Sequence, residues 1–327
     1  MQQPIGRLPT VRLGAKGPLV GVQGLGCMGM SEFYGATDVV EARSTLDQAL
    51  ELGVSLFDTA DMYGLGGNER FLGSFVQAHR SQVVLATKFG YTRSQEAPDD
   101  WSLSNRPEYI HSAVDKSLMR LGIDTIDLYY MHRRTQDVPL EESIGAMADL
   151  VKAGKVRALG LCEVSAEELQ AAHAIHPIAA LQSEWSVFSR QIEQTVAPLA
   201  SSLGITIVPF APLGRGLLTG TGFTGTLATD DFRRHFPRFS ADNQAANQHL
   251  VATVDTLASR RGISSAQLAL AWLYARARKL GVSLVPIPGT RRRSRLTENV
   301  TAASITLDDH ELAALEPLAQ AVHGAAV

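Results

Sequence analysis

Cysteine is scarce in this chain, and segments that would carry it into or through a membrane are absent. The 327 residues include two cysteines, Cys27 and Cys162. Two are too few for a disulfide framework, so a reducing compartment is expected. The opening residues MQQPIGRLPT contain no apolar signal-peptide core, and no apolar run reaches the length of a membrane span. We therefore expect a soluble, cytoplasmic protein.

An excess of positive charge is also lacking. The formal net charge is -3, so no overall field attracts nucleic acid or an acidic membrane surface. The chain is 45% hydrophobic and 19% charged, a balance that excludes general disorder and suits a large buried core. No linker, composition shift or internal repeat divides the sequence. We predict a single domain over residues 1–327.

What the chain does contain is a regular alternation of short apolar runs with amphipathic segments. Most runs are apolar without alternation, as expected for strands buried on both faces of a parallel sheet. The amphipathic segment Pro107–Leu121 predicts a helix, since proline suits a first helical turn and Gly122 a helix end. The predicted strands are Val22–Cys27, Val54–Phe57, Val83–Thr87, Ile126–Met131, Val156–Leu161, Ala179–Gln182, Thr206–Phe210 and Ser283–Ile287.

This alternation predicts a (β/α)8 TIM barrel with extra C-terminal helices, whereas about six units would leave an open doubly wound sheet. The segment VRLGAKGPLVG, with Gly14 and Gly17 flanking a turn, predicts an N-terminal β-hairpin that closes the bottom of the barrel. The longest irregular stretch, from Gly214 to about Asn243, predicts a functional or disordered loop.

Four polar residues follow three of the predicted strands: Asp58, Tyr63, Lys88 and His132. The carboxyl ends of barrel strands share one face, so these side chains are expected to meet there. A phenol has an ordinary pKa of about 10. A nearby ammonium lowers that pKa, and a carboxylate holds the ammonium in place. Taken singly, each residue would more often be structural, but together they predict a tyrosine proton donor for carbonyl reduction.

A phosphate site is predicted near the C-terminal end. No GxGxxG opens a βαβ unit, and GVQGLGCMG is a weak phosphate signal. The segment PGTRRRSRLTENV is stronger, because Thr290 is placed to cap a helix whose N-terminus attracts anions. Arg291 and Arg295 suit a 2′-phosphate, which favours NADP(H) over NAD(H). The alternative is a solvated basic helix.

Several motifs, in order over nearly the whole chain, resemble those of the aldo-keto reductase family, most closely its bacterial and fungal branch. They are FDTADMYG, RLGIDTIDLYYMHR, GKVRALGLCE, PFAPLGRGLLTG and IPGT followed by LTENV. The resemblance implies NADPH-dependent reduction of aldehydes or ketones to alcohols. It also implies that Tyr63 donates the proton, Lys88 lowers its pKa, Asp58 fixes Lys88 and His132 orients the carbonyl.

The resemblance further implies a set of NADPH-binding residues. Gln182 is expected to bond the nicotinamide carboxamide, Phe210 to stack on its ring, and residues 213–215 to run along the pyrophosphate. The full set is Cys162, Glu163, Gln182, Phe210, Leu213, Gly214, Arg215, Gly289, Thr290, Arg291, Arg295, Glu298 and Asn299.

Three positions depart from the family pattern. Cys162 stands where relatives often carry serine, and a thiol donates a weaker hydrogen bond. Arg134 and Thr135 stand close behind His132, where a small apolar residue and an aspartate are common. Cys27 is expected to be a small buried apolar residue rather than the redox partner of Cys162.

The predicted substrate pocket is lined by Met28, Tyr63, Trp101 and the segment Phe232–Phe239. An apolar pocket with a few polar anchors suits aldehydes and ketones; no metal site is predicted. The basic patch DFRRHFPRF, without overall positive charge, is weak evidence for RNA binding. Two alternatives are open: a nicotinamide-binding sensor or regulatory subunit like the potassium-channel β-subunits, and another barrel enzyme such as a phosphate-sugar isomerase.

Overall fold

Short strands and longer helices alternate along most of the chain, for which a computed structural model describes residues 7–220, 227 and 231–326. The strands are β1 (Thr10–Arg12), β2 (Leu19–Gly21), β3 (Leu25–Gly26), β4 (Leu56–Asp58), β5 (Val84–Phe89), β6 (Leu128–Met131), β7 (Leu159–Cys162), β8 (Ile178–Glu184) and β9 (Thr206–Phe210). The helices are α1 (Val39–Glu51), α2 (Gly67–Ala78), α3 (Pro107–Leu121), α4 (Leu140–Lys152), α5 (Ala166–Ile175), α6 (Val196–Ser202), α7 (Ala241–Arg261), α8 (Ser265–Leu280), α9 (Arg293–Thr301), α10 (Asp309–Leu315) and α11 (Leu318–Ala321).

Strands β3 to β9 form one parallel sheet whose spatial order follows the chain order. Every residue of β4, β6 and β7 is buried. These strands carry side chains into the barrel on one face and against the helices on the other. This double burial is the physical reason that the runs are apolar throughout rather than alternating.

The predicted eighth strand, Ser283–Ile287, is not a strand, which corrects that boundary. The segment makes isolated parallel bridges instead, pairing Leu284 with Ile207 of β9 and Gly289 with Gly26 of β3. It therefore joins the two edges of the sheet and closes the (β/α)8 barrel. Pro286 and Pro288 lack the N–H groups that a regular ladder needs, so the pairing is interrupted.

The first predicted strand, Val22–Cys27, shortens to the two residues of β3. Here β3 passes very close to the closing segment. A Cβ added at Gly26 would lie 2.9 Å from the backbone oxygen of Ile287. Glycine at this position therefore permits the approach that closes the barrel.

The predicted hairpin is confirmed, since β1 and β2 pair antiparallel. Its Leu13 and Val20 are fully buried against residues that line the barrel interior, such as Leu128. The Thr206 hydroxyl, at the start of β9, accepts a hydrogen bond from the Gly14 N–H at 2.9 Å and donates to the Arg12 carbonyl at 3.2 Å. The hairpin thus covers the amino-terminal end of the barrel, opposite the carboxyl ends of the strands.

Helix ends follow the expected chemistry in several places. Pro107 opens α3, and Gly122 ends it in the left-handed conformation. Asp38 caps α1 through the N–H groups of Val40 and Glu41. The described part of the long loop contains three short 3-10 turns, at Gly214–Gly216, Phe232–His235 and Pro237–Phe239; its residues 221–226 and 228–230 lie outside the described residues. The C-terminal α10 and α11 are the predicted extra helices.

Of the helices that the structure describes, none has the length and apolarity needed to cross a membrane.

Candidate active site

The polar residues predicted to act together lie at the carboxyl ends of neighbouring strands. Asp58 is the last residue of β4, Lys88 is the penultimate residue of β5, and His132 directly follows β6. Tyr63 lies on the loop between β4 and α2. Parallel pairing aligns these ends at one edge of the sheet, since Lys88 lies opposite Tyr130 of β6. The structure therefore brings the predicted group of four together at one rim.

Lys88 is the buried centre of this group. Its side chain has no exposed surface, and its ammonium forms an ion pair with Asp58. The ammonium also donates to the Thr59 carbonyl at 2.8 Å. Burial is the largest single effect and lowers the pKa of Lys88, but the Asp58 carboxylate, together with Tyr63 and Cys162, raises the pKa above its ordinary value. The site therefore holds one permanent positive charge.

Asp58 is held in turn from β8. The Gln182 amide nitrogen donates to the second Asp58 carboxylate oxygen at 2.8 Å. Each carboxylate oxygen thus has one strong partner, which fixes the carboxylate plane and with it the ammonium. The resemblance implied a nicotinamide contact for Gln182; this hydrogen bond to Asp58 was missed by the sequence analysis.

Tyr63 stands over Lys88, whose nitrogen lies 5.3 Å from the centre of the phenol ring. Burial raises the pKa of Tyr63 to about 12, and the Lys88 charge acts in the opposite direction. The expected lowering of the Tyr63 pKa is therefore not met: the Lys88 charge acts in that direction, but the effect of burial is larger. The phenol holds its proton throughout the neutral range, as a proton donor must.

His132 completes the group as a neutral ring. Burial, with smaller effects of Lys88 and Arg133, lowers the pKa of His132 well below its usual value. Its ring lies edge-on to Tyr63, with ring centres 5.9 Å apart, and edge-on to Tyr91 at 5.2 Å. Its Nδ1 is buried and has no hydrogen-bond partner within the described residues. A neutral imidazole carries one N–H, which suits donation to an uncharged oxygen.

The loop that carries His132 is fixed by a residue that the sequence did not indicate. Asn105 is fully buried; its side chain donates to the Arg133 carbonyl at 3.0 Å and accepts from the Thr135 N–H at 2.6 Å. The largely buried Arg134 side chain pairs with Glu168 of α5 at 3.3 Å and donates to the Val138 carbonyl at 3.1 Å. The two departures therefore contact Glu168, Val138 and Asn105 rather than the ring of His132.

The residues expected at the nicotinamide end lie beside the same group. Cys162 ends β7, and burial raises the pKa of its thiol to about 12, so the thiol stays protonated. Phe210 ends β9 with a partly buried ring. The Arg215 guanidinium lies 4.3 Å from the centre of the Phe236 ring and 5.9 Å from that of Phe210. Its buried Nε lacks a hydrogen-bond partner in the described ranges.

Glu163, Leu213 and Gly214 frame this end through backbone geometry. Glu163 has a φ of 51° and accepts the Glu184 N–H through its carboxylate at 2.6 Å. Gly214 has a φ of 57°, and the Leu213 carbonyl accepts the N–H of Gly216 at 3.1 Å. Leu213 and Gly214 thus form the tight turn that positions Arg215.

The structure corrects one detail of the predicted phosphate segment, the cap of the following helix. Thr290 does not cap α9: the helix begins at Arg293, Arg292 occupies the cap position, and the Thr290 hydroxyl accepts the Arg292 N–H at 3.1 Å. Arg291 contacts the neighbouring loop 34–37. Its guanidinium donates to the Gly35 carbonyl at 2.9 Å and the Tyr34 carbonyl at 2.7 Å, because barrel closure brings this loop alongside.

A cavity of about 430 Å³ lies between the starts of α1 and α9. Glu41, one of its lining residues, accepts the Arg293 N–H at 3.0 Å and pairs with the Arg293 guanidinium at 3.0 Å. Arg295 is exposed on α9. The cavity is lined by Ala36, Asp38, Glu41, Arg291, Arg292 and Ser294. Of the remaining predicted residues, Gly289 bridges to β3, Glu298 is half-buried and Asn299 is buried.

Aromatic rings surround the free side of Tyr63. Trp101 is 43% exposed and stacks on Phe232, with ring centres 5.9 Å apart. Phe33, which the sequence analysis missed, lies 4.8 Å from Phe232 and 6.3 Å from Tyr63 between ring centres. Met28 packs against the same small cluster as Tyr63. The predicted residues Met28 and Trp101 therefore do lie around the mouth of the site.

The chain matches the model of the aldo/keto reductase family over residues 24–320. It is 39% identical over 310 residues to a probable aldo-keto reductase from Glycine max, covering 94% of this chain and 87% of that protein.

Solved structures show the same architecture. A glycerol dehydrogenase from Gluconobacter oxydans superposes with a TM-score of 0.81 at 26% identity, covering 94% of both chains. The holo form of an aldo-keto reductase from Bacillus halodurans gives a TM-score of 0.76 at 28% identity, covering 96% of this chain and 97% of that one. The match over nearly the whole chain and the shared barrel lead to one conclusion: this protein belongs to the aldo/keto reductase family of nicotinamide-dependent oxidoreductases.

Proposed function

We propose that this protein reduces aldehydes or ketones to alcohols, with NADPH as the hydride donor and Tyr63 as the proton donor. The observation that carries the proposal is the buried Lys88–Asp58 pair beneath the Tyr63 ring. A buried ion pair at the rim of a barrel is costly to build. Because the pair lies beside a protonated phenol and a neutral imidazole, its charge can assist proton donation from that phenol.

When bound, NADPH would supply a hydride for the carbonyl carbon. Tyr63 donates its proton to the carbonyl oxygen, and the Lys88 charge stabilises the phenolate that forms on Tyr63. Asp58 and Gln182 hold Lys88 in place during this transfer. The neutral His132 N–H donates to the same oxygen. A donor that strengthens its bond as negative charge develops is worth about 2.7–4 kcal/mol.

Several residues present fit a nicotinamide dinucleotide. The unpaired Arg215 Nε offers an N–H to an anion, and the partly exposed Phe210 ring offers a face for stacking. At the end expected to hold the adenosine part of the cofactor, Arg292 lines the cavity between α1 and α9. Arg292, with the exposed Arg295, supports the choice of NADPH, whereas Arg291 is occupied by the neighbouring loop.

The experiment that tests this function is steady-state oxidation of NADPH in the presence of a panel of aldehydes and ketones. Repeated turnover with at least one carbonyl compound is expected from the wild-type protein. The relatives described above are named as reductases or a dehydrogenase, so they lend no support to the alternative of a regulatory subunit. A protein that binds NADPH but never turns over would contradict the proposed activity.

A further inference from the structure

A carboxylate outside the group of four holds the loop on which Tyr63 stands. Glu32 accepts the N–H of Gly64 at 2.8 Å. That N–H belongs to the peptide bond that joins Tyr63 to Gly64. The glycine has a φ of 55°, in the left-handed region, so the chain turns sharply at this point. Glu32 therefore fixes the backbone immediately after the proposed proton donor.

The same carboxylate forms a two-pronged ion pair with Arg93, on the loop after β5. The two terminal guanidinium nitrogens donate to the two Glu32 oxygens at 2.9 and 2.6 Å. Both side chains are largely buried, with 10% of Arg93 and 24% of Glu32 exposed. Paired donors of this kind fix direction as well as distance. Three loops around the site thus meet at one carboxylate.

Arg93 continues the connection to the pocket. Its Nε donates to the Pro98 carbonyl at 2.6 Å, and its guanidinium lies 4.6 Å from the centre of the Trp101 ring. Phe33, next to Glu32, has a φ of 75°, a left-handed conformation that is strained for a bulky side chain. In this conformation the Phe33 ring contacts the rings of Tyr63 and Phe232.

Tyr63 needs such support because it lies on a loop, whereas its partner Lys88 lies on a strand. The loop that carries Tyr63 contains Gly64 and Gly66, both in the left-handed conformation, before α2 begins at Gly67. A misplacement of about 1 Å at a reacting group can lower a rate on the order of a hundredfold. Asn68 anchors the Glu32 loop from the other side, since its amide donates to the Ser31 hydroxyl at 2.7 Å.

We propose that Glu32 is a positioning residue for the reduction: it holds the Tyr63–Gly64 peptide so that the phenol faces Lys88, and through Arg93 it holds the aromatic wall of the substrate pocket. The inference rests on the proposed function. Glu32 has two roles in this proposal: it accepts the Gly64 N–H, and it forms the ion pair with Arg93.

Three variants separate these roles. Glu32→Gln keeps an oxygen for the Gly64 N–H and loses the ion pair. Arg93→Met loses the ion pair and leaves the Glu32–Gly64 bond. Glu32→Leu loses both. The control is Asp115→Asn, which removes the exposed ion pair with Lys155 at the opposite end of the barrel.

We expect Glu32→Leu to lower kcat by about tenfold or more. Its dissociation constant for NADPH should stay within about twofold of wild type, and its solvent deuterium isotope effect on kcat should increase, because proton donation becomes slower. Glu32→Gln and Arg93→Met should keep most of kcat and raise the KM of the carbonyl substrate. Asp115→Asn should match wild type in every measurement.

A Glu32→Leu protein with wild-type kcat and isotope effect would overturn the positioning role. So would a loss of kcat accompanied by an equal loss of NADPH affinity and an unchanged isotope effect, which a merely structural pair would produce. If Glu32→Leu does not fold, the other two variants decide: unchanged KM in both overturns the proposal. Absence of turnover in the wild-type protein would instead overturn the proposed function.

Discussion

At the scale of one residue, the burial of the Lys88 ammonium is unfavourable by itself and is offset by its partners. Removing an ammonium from water costs several kcal/mol even after relaxation, and Lys88 has no exposed surface. The Asp58 carboxylate and the Thr59 carbonyl offset that cost. The charge then acts on Tyr63 with little screening, because the surroundings have a low dielectric constant.

Replacement of the phenol should separate chemistry from binding. We expect Tyr63→Phe to reduce kcat by at least about a hundredfold, since it removes a donor worth roughly 2.7–4 kcal/mol. The phenyl ring keeps the packing against Phe33 and His132. The dissociation constant for NADPH, measured by quenching of tryptophan fluorescence, should therefore be unchanged. Near wild-type reduction by this variant would remove Tyr63 from the mechanism.

The pH dependence of the reaction follows from two residues. Burial raises the pKa of Tyr63 to about 12, so the phenol is protonated below that pH. Burial lowers the pKa of His132, so the imidazole is neutral at and above its ordinary value. Neither group changes charge in between, and kcat/KM for the carbonyl should be constant from about pH 7 to 9. A bell-shaped profile centred in that window would show that a different group donates the proton.

At the scale of elements, the starts of α1 and α9 meet across the cavity expected to hold the adenosine end. Glu41 on α1 accepts a hydrogen bond from the N–H of Arg293, the first residue of α9, and forms an ion pair with its guanidinium. The site therefore contains a carboxylate where an anionic phosphate is expected to bind. Helix N-termini favour either anion, so the two compete for the same positive potential.

Removal of this carboxylate charge should favour the phosphorylated cofactor. We expect Glu41→Gln to lower the dissociation constant for NADPH by about three- to tenfold and to leave that for NADH nearly unchanged, since NADH lacks the 2′-phosphate. Glu51→Gln, at the exposed far end of the same helix, is the matched control. Titrations with both cofactors measure the difference. Equal changes for NADH and NADPH would place the 2′-phosphate elsewhere.

At the scale of the whole molecule, the barrel works as a closed core with two different ends. The hairpin fills the amino-terminal end with Leu13 and Val20. The opposite end is left for side chains that follow the strands. Stability and chemistry are thus placed at separate ends, as in other barrels of this kind.

The hairpin should therefore contribute to stability without contributing to catalysis. We expect Leu13→Ala to lower the free energy of unfolding by about 2–5 kcal/mol, because Leu13 is fully buried. Leu19→Ala, in the same hairpin but 55% exposed, should cost less than about 0.5 kcal/mol. Denaturant unfolding measures both, and kcat of both variants should match wild type. Equal stability of the two variants would show that the hairpin does not plug the barrel.

Local pattern was sufficient to predict most of the backbone. Continuous apolar runs indicated buried parallel strands, and Pro107 and Gly122 marked the two ends of α3. The order of the chain was also enough to place Asp58, Lys88 and His132 at one rim, because parallel strands share a direction. These features depend on neighbours in sequence, and the sequence records such neighbours directly.

Side-chain partners were decided only when the barrel closed. The Glu32–Arg93 pair joins residues 61 positions apart, and Arg291 reaches carbonyls more than 250 positions away. Closure also reduced the eighth strand to isolated bridges. Sequence by itself therefore determined which residues stand at the rim, through hydrophobic period and strand order. The tertiary structure decided which side chains pair with each other. Such hydrogen bonds and ion pairs join segments far apart in sequence, and no local pattern encodes the distances between them.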